Sequence, residues 1–125
     1  VKEALKELLN RYEIKIICLA GFMRILSKDF IKLFEGRILN IHPSLLPKYK
    51  GLNTHARALA SNEQFAGCSV HLVTSELDGG PVLAQSKISI DKTDNVESLS
   101  TKVLKEEHIL YPKVLLKFAT ELKNL

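Results

Sequence analysis

At 125 residues, with 46% apolar and 26% charged positions, the chain is sized for one folded domain with a real core, and this composition excludes a disordered or low-complexity polypeptide. The net charge of +4 comes from Lys and Arg scattered along the chain, so no nucleic-acid partner is expected and a small anionic substrate suits the charge as well. Cys18 and Cys68 sit inside apolar runs, no stretch has the length of a membrane helix and none reads as a signal peptide; a reducing, cytoplasmic setting without a membrane partner is expected.

Residues 1–11 (VKEALKELLNR) place apolar side chains on one stripe at helical spacing, and the chain begins at Val1 already inside that pattern, so a preceding segment is expected. Residues 14–20 (IKIICLA) form a β-branched, apolar run typical of a strand covered on both faces, stopped by Gly21. Ser27 then reads as the cap of a short helix reaching about Gly36, followed by a strand over residues 37–41. Helix then strand, twice, predicts an α/β layer fold. Residues 54–61 (THARALAS) predict a short helix, and residues 67–73 and 81–90 two strands that pair antiparallel across the turn-rich segment TSELDGG, which makes the sheet mixed. Asp94 with Glu97 fits a capping box, opening a helical pattern to about Leu122 that Pro112 should kink or split near Tyr111.

Ligands of α/β sheets sit outside the carboxyl ends of parallel strands, and the loops at residues 21–26, 40–51 and 74–80 are candidates to line one crevice. Asn40 and His42, two residues apart on a strand, project from the same face, and an amide beside an imidazole suits a developing oxyanion in acyl transfer. Asp78 in another loop would orient His42 and favour its charged form. Plainer readings stay open: Asn40 as a turn former, His42 as a loop residue, Asp78 as the start of an Asp-Gly turn. His71 reads as a satisfied sheet residue near the crevice, His55 as a surface residue and His108 as helical beside its Glu neighbours. No CxxC or HxxxH spacing supports a metal site, no G-x-S-x-G elbow supports a serine nucleophile, and no phosphate-loop motif occurs.

The run LNIHPSLLPKYKG, joined to LDGGP and preceded by LAGFMRIL, resembles the folate-dependent formyltransferases from about Ile14 to Tyr111, and most of all their branch acting on glycinamide ribonucleotide in purine synthesis. The resemblance implies a Rossmann-like fold with a mostly parallel mixed sheet flanked by helices, and formyl transfer from the co-substrate 10-formyltetrahydrofolate to the glycinamide amine. It implies small-molecule partners, no metal, and a homodimer among the assemblies it allows. Asn40, His42 and Asp78 match the family's catalytic residues; Met23, Arg24, Ile25 and Leu26, with Val73, Thr74 and Asp78, match its folate contacts; Pro43 and Glu107 match its amine-substrate contacts. Residues 1–125 would form a single catalytic domain, the C-terminal portion of the family's own. Two strand-helix units, ~60 residues with the glycine-rich phosphate loop, are expected to be missing. Leu104 stands where some relatives would place a polar substrate contact. Related methionyl-tRNA formyltransferases and formyltetrahydrofolate deformylases share the core motif, and a truncated folate-binding or subunit-interaction domain without catalysis is the rival from another class.

Overall fold

The computed structural model describes residues 16–20, 28–76 and 78–123, without the side chains of 122 and 123. The predicted helix over residues 1–11, the start of the first strand, the stop at Gly21, the cap at Ser27 and the segment Met23, Arg24, Ile25 and Leu26 lie outside the described residues. The elements follow as β1 (Ile17–Ala20), α1 (Lys28–Leu33), β2 (Ile38–His42), α2 (Thr54–Ala60), β3 (Phe65–Leu72), β4 (Val82–Ser89) and α3 (Val96–Lys123).

The sheet order is β1-β2-β3-β4. β1 and β2 run parallel, as expected from the helix between them, whereas β2 with β3 and β3 with β4 run antiparallel. The direction of β3 changes the expected layout. Its C-terminal loop leaves the sheet beside Ile38, with the Val73 N–H donating to the Ile38 carbonyl at 2.8 Å, not at the carboxyl end of β2. The loops at residues 40–51 and 74–80 therefore start from opposite ends of the sheet, and the second reaches the first by folding back over one face.

Alternation along β2 sorts its side chains between two cores. Leu39 and Ile41 point toward α3, where Ile41, Ala66, Cys68 and Val70 pack against Leu99, Val103 and Val114. Ile38 points the other way, into a smaller cluster with Phe30, Ile31 and Phe34 of the α1 segment, whose two rings lie 5.4 Å apart. Full burial of a side chain such as Leu99 or Val103 contributes roughly 1.5–3 kcal/mol, so α3 is the main clamp on the sheet. Its Tyr111 hydroxyl ties it down further, donating to the Leu19 carbonyl at 2.6 Å with the Leu39 carbonyl at 3.2 Å.

Two local expectations need correction. The helix cap is Asn95, whose Oδ1 accepts the Ser98 N–H at 2.8 Å while Ser98 Oγ accepts the Asn95 N–H at 2.9 Å; the box lies one residue beyond the expected Asp94 and Glu97. Asp94 instead accepts the Asp91 N–H at 2.9 Å and pairs with Lys102 at 2.6 Å, which fixes the approach to the helix. Of the kink or split expected at Pro112, the split does not occur: α3 runs unbroken for 28 residues. Pro112 and His108 are both exposed, so the carbonyl that loses its helical partner faces water, where the loss is inexpensive.

Candidate functional site

Among the described residues, the α1 segment packs over Ile38 on the face of the sheet opposite α3, and the neighbouring part of that face is polar. Asn40 and His42 of β2 stand there beside His71 and Ser69 of β3, because the register pairs Asn40 with His71 and His42 with Ser69. All four are buried, as is Asp78, brought over them by the loop after β3. Asp78 takes a left-handed backbone conformation, φ 49°, which Asp tolerates better than most residues. The Asp-Gly turn and the site carboxylate are thus one feature.

His42 is held from both sides. Its Nε2–H donates to the Tyr49 carbonyl at 2.8 Å, and its Nδ1 lies 3.4 Å from Oδ2 of Asp78. Both neighbours are acceptors, so the charged ring satisfies both. The Asp78 contact is long for a hydrogen bond, which leaves Nδ1–H available to a third acceptor. The same Oδ2 accepts the Gly51 N–H at 2.9 Å. Oδ1 of Asp78 stands 3.6 Å from His71 Nε2.

His71 is the member that sequence reasoning left at the margin. Its Nδ1–H donates to the Leu72 carbonyl at 3.0 Å, so Nε2 carries the lone pair, 3.3 Å from Asn40 Nδ2. Burial pushes its pKa below the ordinary imidazole value, against the pull of the Leu72 carbonyl and Asp78. Asn40 Oδ1 is buried without any hydrogen-bond partner.

The loop over residues 43–53 supplies Tyr49 and Gly51, and it is pinned at several points. Ser69 Oγ donates to the Ser44 carbonyl at 2.7 Å and accepts the Leu46 N–H at 3.0 Å, and Ser44 Oγ donates to the Lys48 carbonyl at 2.6 Å. Arg57 Nη1 donates to the carbonyls of Lys50 at 2.8 Å and Leu52 at 2.7 Å, with its guanidinium 5.2 Å from the centre of the Tyr49 ring. Ser44, Leu46, Lys48 and Lys50 belong to the run LNIHPSLLPKYKG, whereas their partners Ser69 and Arg57 lie outside it and meet them through the β2–β3 register and the loop's own path.

Asn40, His42 and Asp78 therefore converge as expected, and Pro43 follows His42 at the strand end. Val73 and Thr74 line a separate cleft of about 550 Å³ between the loop and α1, with Ile31, Pro81, Lys28 and Lys32. His55 departs from its surface reading: it is partly buried, and burial first and then the charge of His42 lower its pKa. Glu107 lies on α3, which packs on the other face of the sheet, and burial raises its pKa. The charge of His108 pulls the other way, and Glu107 in turn adds to the burial that pushes the Cys68 thiol up to about 12. Among the described residues no group of three or more His, Cys, Asp or Glu is placed to hold a metal ion, and no helix is long and apolar enough to cross a membrane.

The profile of the formyl transferase family matches residues 1–115. The phosphoribosylglycinamide formyltransferase of Escherichia coli is 49% identical over 111 residues, 89% of this chain and 52% of that protein. The trifunctional purine biosynthetic protein adenosine-3 of Gallus gallus is 46% identical over 112 residues, 90% of this chain and 11% of that protein. The crystal structure of phosphoribosylglycinamide formyltransferase from Brucella melitensis superposes with a TM-score of 0.89 at 53% identity, over 94% of this chain and 60% of that one. The chain spans about half the length of the Escherichia coli relative. On its sequence and on its fold, this chain belongs to the formyl transferase family.

Proposed function

We propose that this chain, residues 1–125 acting as one catalytic unit, carries the machinery for moving a formyl group from 10-formyltetrahydrofolate to the amine of glycinamide ribonucleotide. The observation that carries the reading is the buried convergence of Asn40, His42 and Asp78 on one sheet face, in a chain about half identical to proteins named for that transfer.

The folate co-substrate supplies the formyl group and the nitrogen that leaves. The residues here supply the electrostatics. His42, anchored at Nε2 by Tyr49, turns Nδ1–H inward, and Asn40 keeps one Nδ2–H free; together they suit the oxygen of a tetrahedral carbon. Asp78 stabilises the charged ring and stands ready to take the proton that the amine loses as its bond to carbon forms. That proton passes, directly or through water, to the folate nitrogen as its bond to carbon breaks. The apolar wall of the cleft at Ile31, Val73 and Pro81 suits a flat heteroaromatic ring, with Thr74 at its edge. Met23, Arg24, Ile25 and Leu26 are assigned to the same ring by their motif alone, as Pro43 and Glu107 are to the amine substrate.

Replacing Asn40 or His42 by Ala in the full-length protein is expected to lower kcat by ~10² or more, since an oxyanion donor is lost. Near-normal turnover in both variants would sink the mechanism. Binding of a folate analogue without transfer would mark a binding domain instead.

A further inference from the structure

We propose that His71 is a positioning residue that sets which way the Asn40 amide faces, so that Asn40 Oδ1 is presented as the acceptor for an N–H of the attacking amine. This rests on the proposed formyl transfer for the identity of the amine; the positioning itself rests on geometry alone.

An Asn side chain in a site can turn its amide through 180°, exchanging a donor for an acceptor at nearly the same place. What fixes the choice is the neighbour. His71 Nδ1–H is committed to the Leu72 carbonyl at 3.0 Å, and the ring is nearly inaccessible, 2% exposed. Nε2 is thereby left as an acceptor, and only the NH₂ side of Asn40 can meet it, at 3.3 Å. Had the amide turned over, Oδ1 would face the Nε2 lone pair with Asp78 Oδ1 only 3.6 Å from that nitrogen, three electron-rich atoms together.

The orientation leaves Asn40 Oδ1 buried and unpartnered, a state that costs about 1–3 kcal/mol unless a ligand supplies a donor. The same amide keeps its second Nδ2–H. Asn40 therefore offers an acceptor and a donor side by side: Oδ1 for the amine N–H, which aims the nitrogen lone pair at the formyl carbon, and Nδ2–H for the oxygen that becomes negative. No bond forms or breaks at Asn40 or His71; both only hold reactants in line.

The test combines spectroscopy with a double-mutant cycle in the full-length protein. Imidazole ¹⁵N NMR at neutral pH should show His71 with a protonated Nδ1 and a bare Nε2; a protonated Nε2 overturns the proposal. In steady-state assays His71→Leu should lower kcat about tenfold with the folate KM unchanged, while His71→Gln, whose side-chain oxygen reaches the position of Nε2, restores most of it. The His71→Leu loss should vanish in an Asn40→Ala background. Losses that multiply, or a Gln variant as slow as the Leu variant, reject the positioning role. If the wild-type protein transfers no formyl group, the functional reading fails while the ¹⁵N spectrum and the Asn40 side-chain amide signal, shifted in His71→Leu and restored in His71→Gln, still decide the positioning.

Discussion

Asp78 Oδ2 serves two partners at once: it lies 3.4 Å from His42 Nδ1 and accepts the Gly51 N–H at 2.9 Å. One carboxylate oxygen thus ties the loop after β2 to the loop after β3 across the imidazole. Asp78→Asn keeps an oxygen that can accept from Gly51 but removes the negative charge that faces His42 Nδ1. Formyl transfer by this variant should fall by ~10²–10⁴ in kcat, the range for a lost proton-transfer group. Its thermal unfolding should stay near that of the parent. Retention of a tenth or more of kcat would show that the charge is dispensable.

Arg57 acts on the same ring at a distance. Its Nη1 bonds to the carbonyls of Lys50 and Leu52, on either side of Gly51, and its guanidinium covers Tyr49, whose own carbonyl holds His42. Tyr49 sits at φ 55°, a conformation that a bulky residue adopts only when its surroundings impose it. Lysine keeps the charge but not the flat contact with the ring. Arg57→Lys should loosen the loop, with trypsin cutting after Lys48 and Lys50 several-fold faster, and lower kcat about tenfold for the ~1.4 kcal/mol of a charged hydrogen bond. Unchanged cleavage would show that the clamp is not what holds the loop.

The legible and illegible parts of this chain divide along one physical line. Apolar runs, glycine stops and the NIHPSLLP and LDGGP motifs are local, and so the elements from β2 to α3 and the trio Asn40, His42 and Asp78 could be read directly. His71 could not, because its place opposite Asn40 depends on the antiparallel register of β2 with β3, a contact across 31 positions. For the same reason the crevice was expected at one end of the sheet, whereas Asp78 arrives by a loop from the other. Asn95 displaced Asp94 as the cap because Asp94 is drawn to Lys102, one helical turn beyond Ser98.

Gly80 closes the loop that carries Asp78. A Cβ at this position would lie 1.8 Å from the Leu72 carbonyl oxygen, a backbone atom whose residue also receives the Pro81 carbonyl at its N–H. The β3 end and the loop cannot both keep their places around an added methyl group. Gly80→Ala should cost more than about 2 kcal/mol in denaturant unfolding and reduce kcat through displacement of Asp78. A variant as stable as the parent would mean that the loop has slack the close approach does not suggest.

Stability should also report the buried histidines through pH. For His71 burial, and for His55 burial followed by the charge of His42, holds the folded pKa below the ordinary 6.5. A group whose folded value is depressed in this way, being a base, is neutral in both states above the unfolded pKa, where its contribution to stability is complete. As pH falls below 6.5 the unfolded chain takes up a proton that the folded chain refuses, and stability declines until the folded value is reached. The urea midpoint should therefore drop between pH 7.5 and pH 5, with His71 adding a slope of at most ~1.4 kcal/mol per pH unit and the partly solvated His55 less. His71→Gln should flatten the profile in this window. Asp94 titrates elsewhere: Lys102 first, then the Asp91 N–H and Ser98, hold its carboxyl at about 2 against 3.8, so its contribution is lost only below pH 4. A His71→Gln variant whose midpoint follows the same profile as the parent from pH 7.5 to pH 5 would show that His71 does not resist protonation in the folded protein, and would remove the bare Nε2 on which the orientation of Asn40 depends.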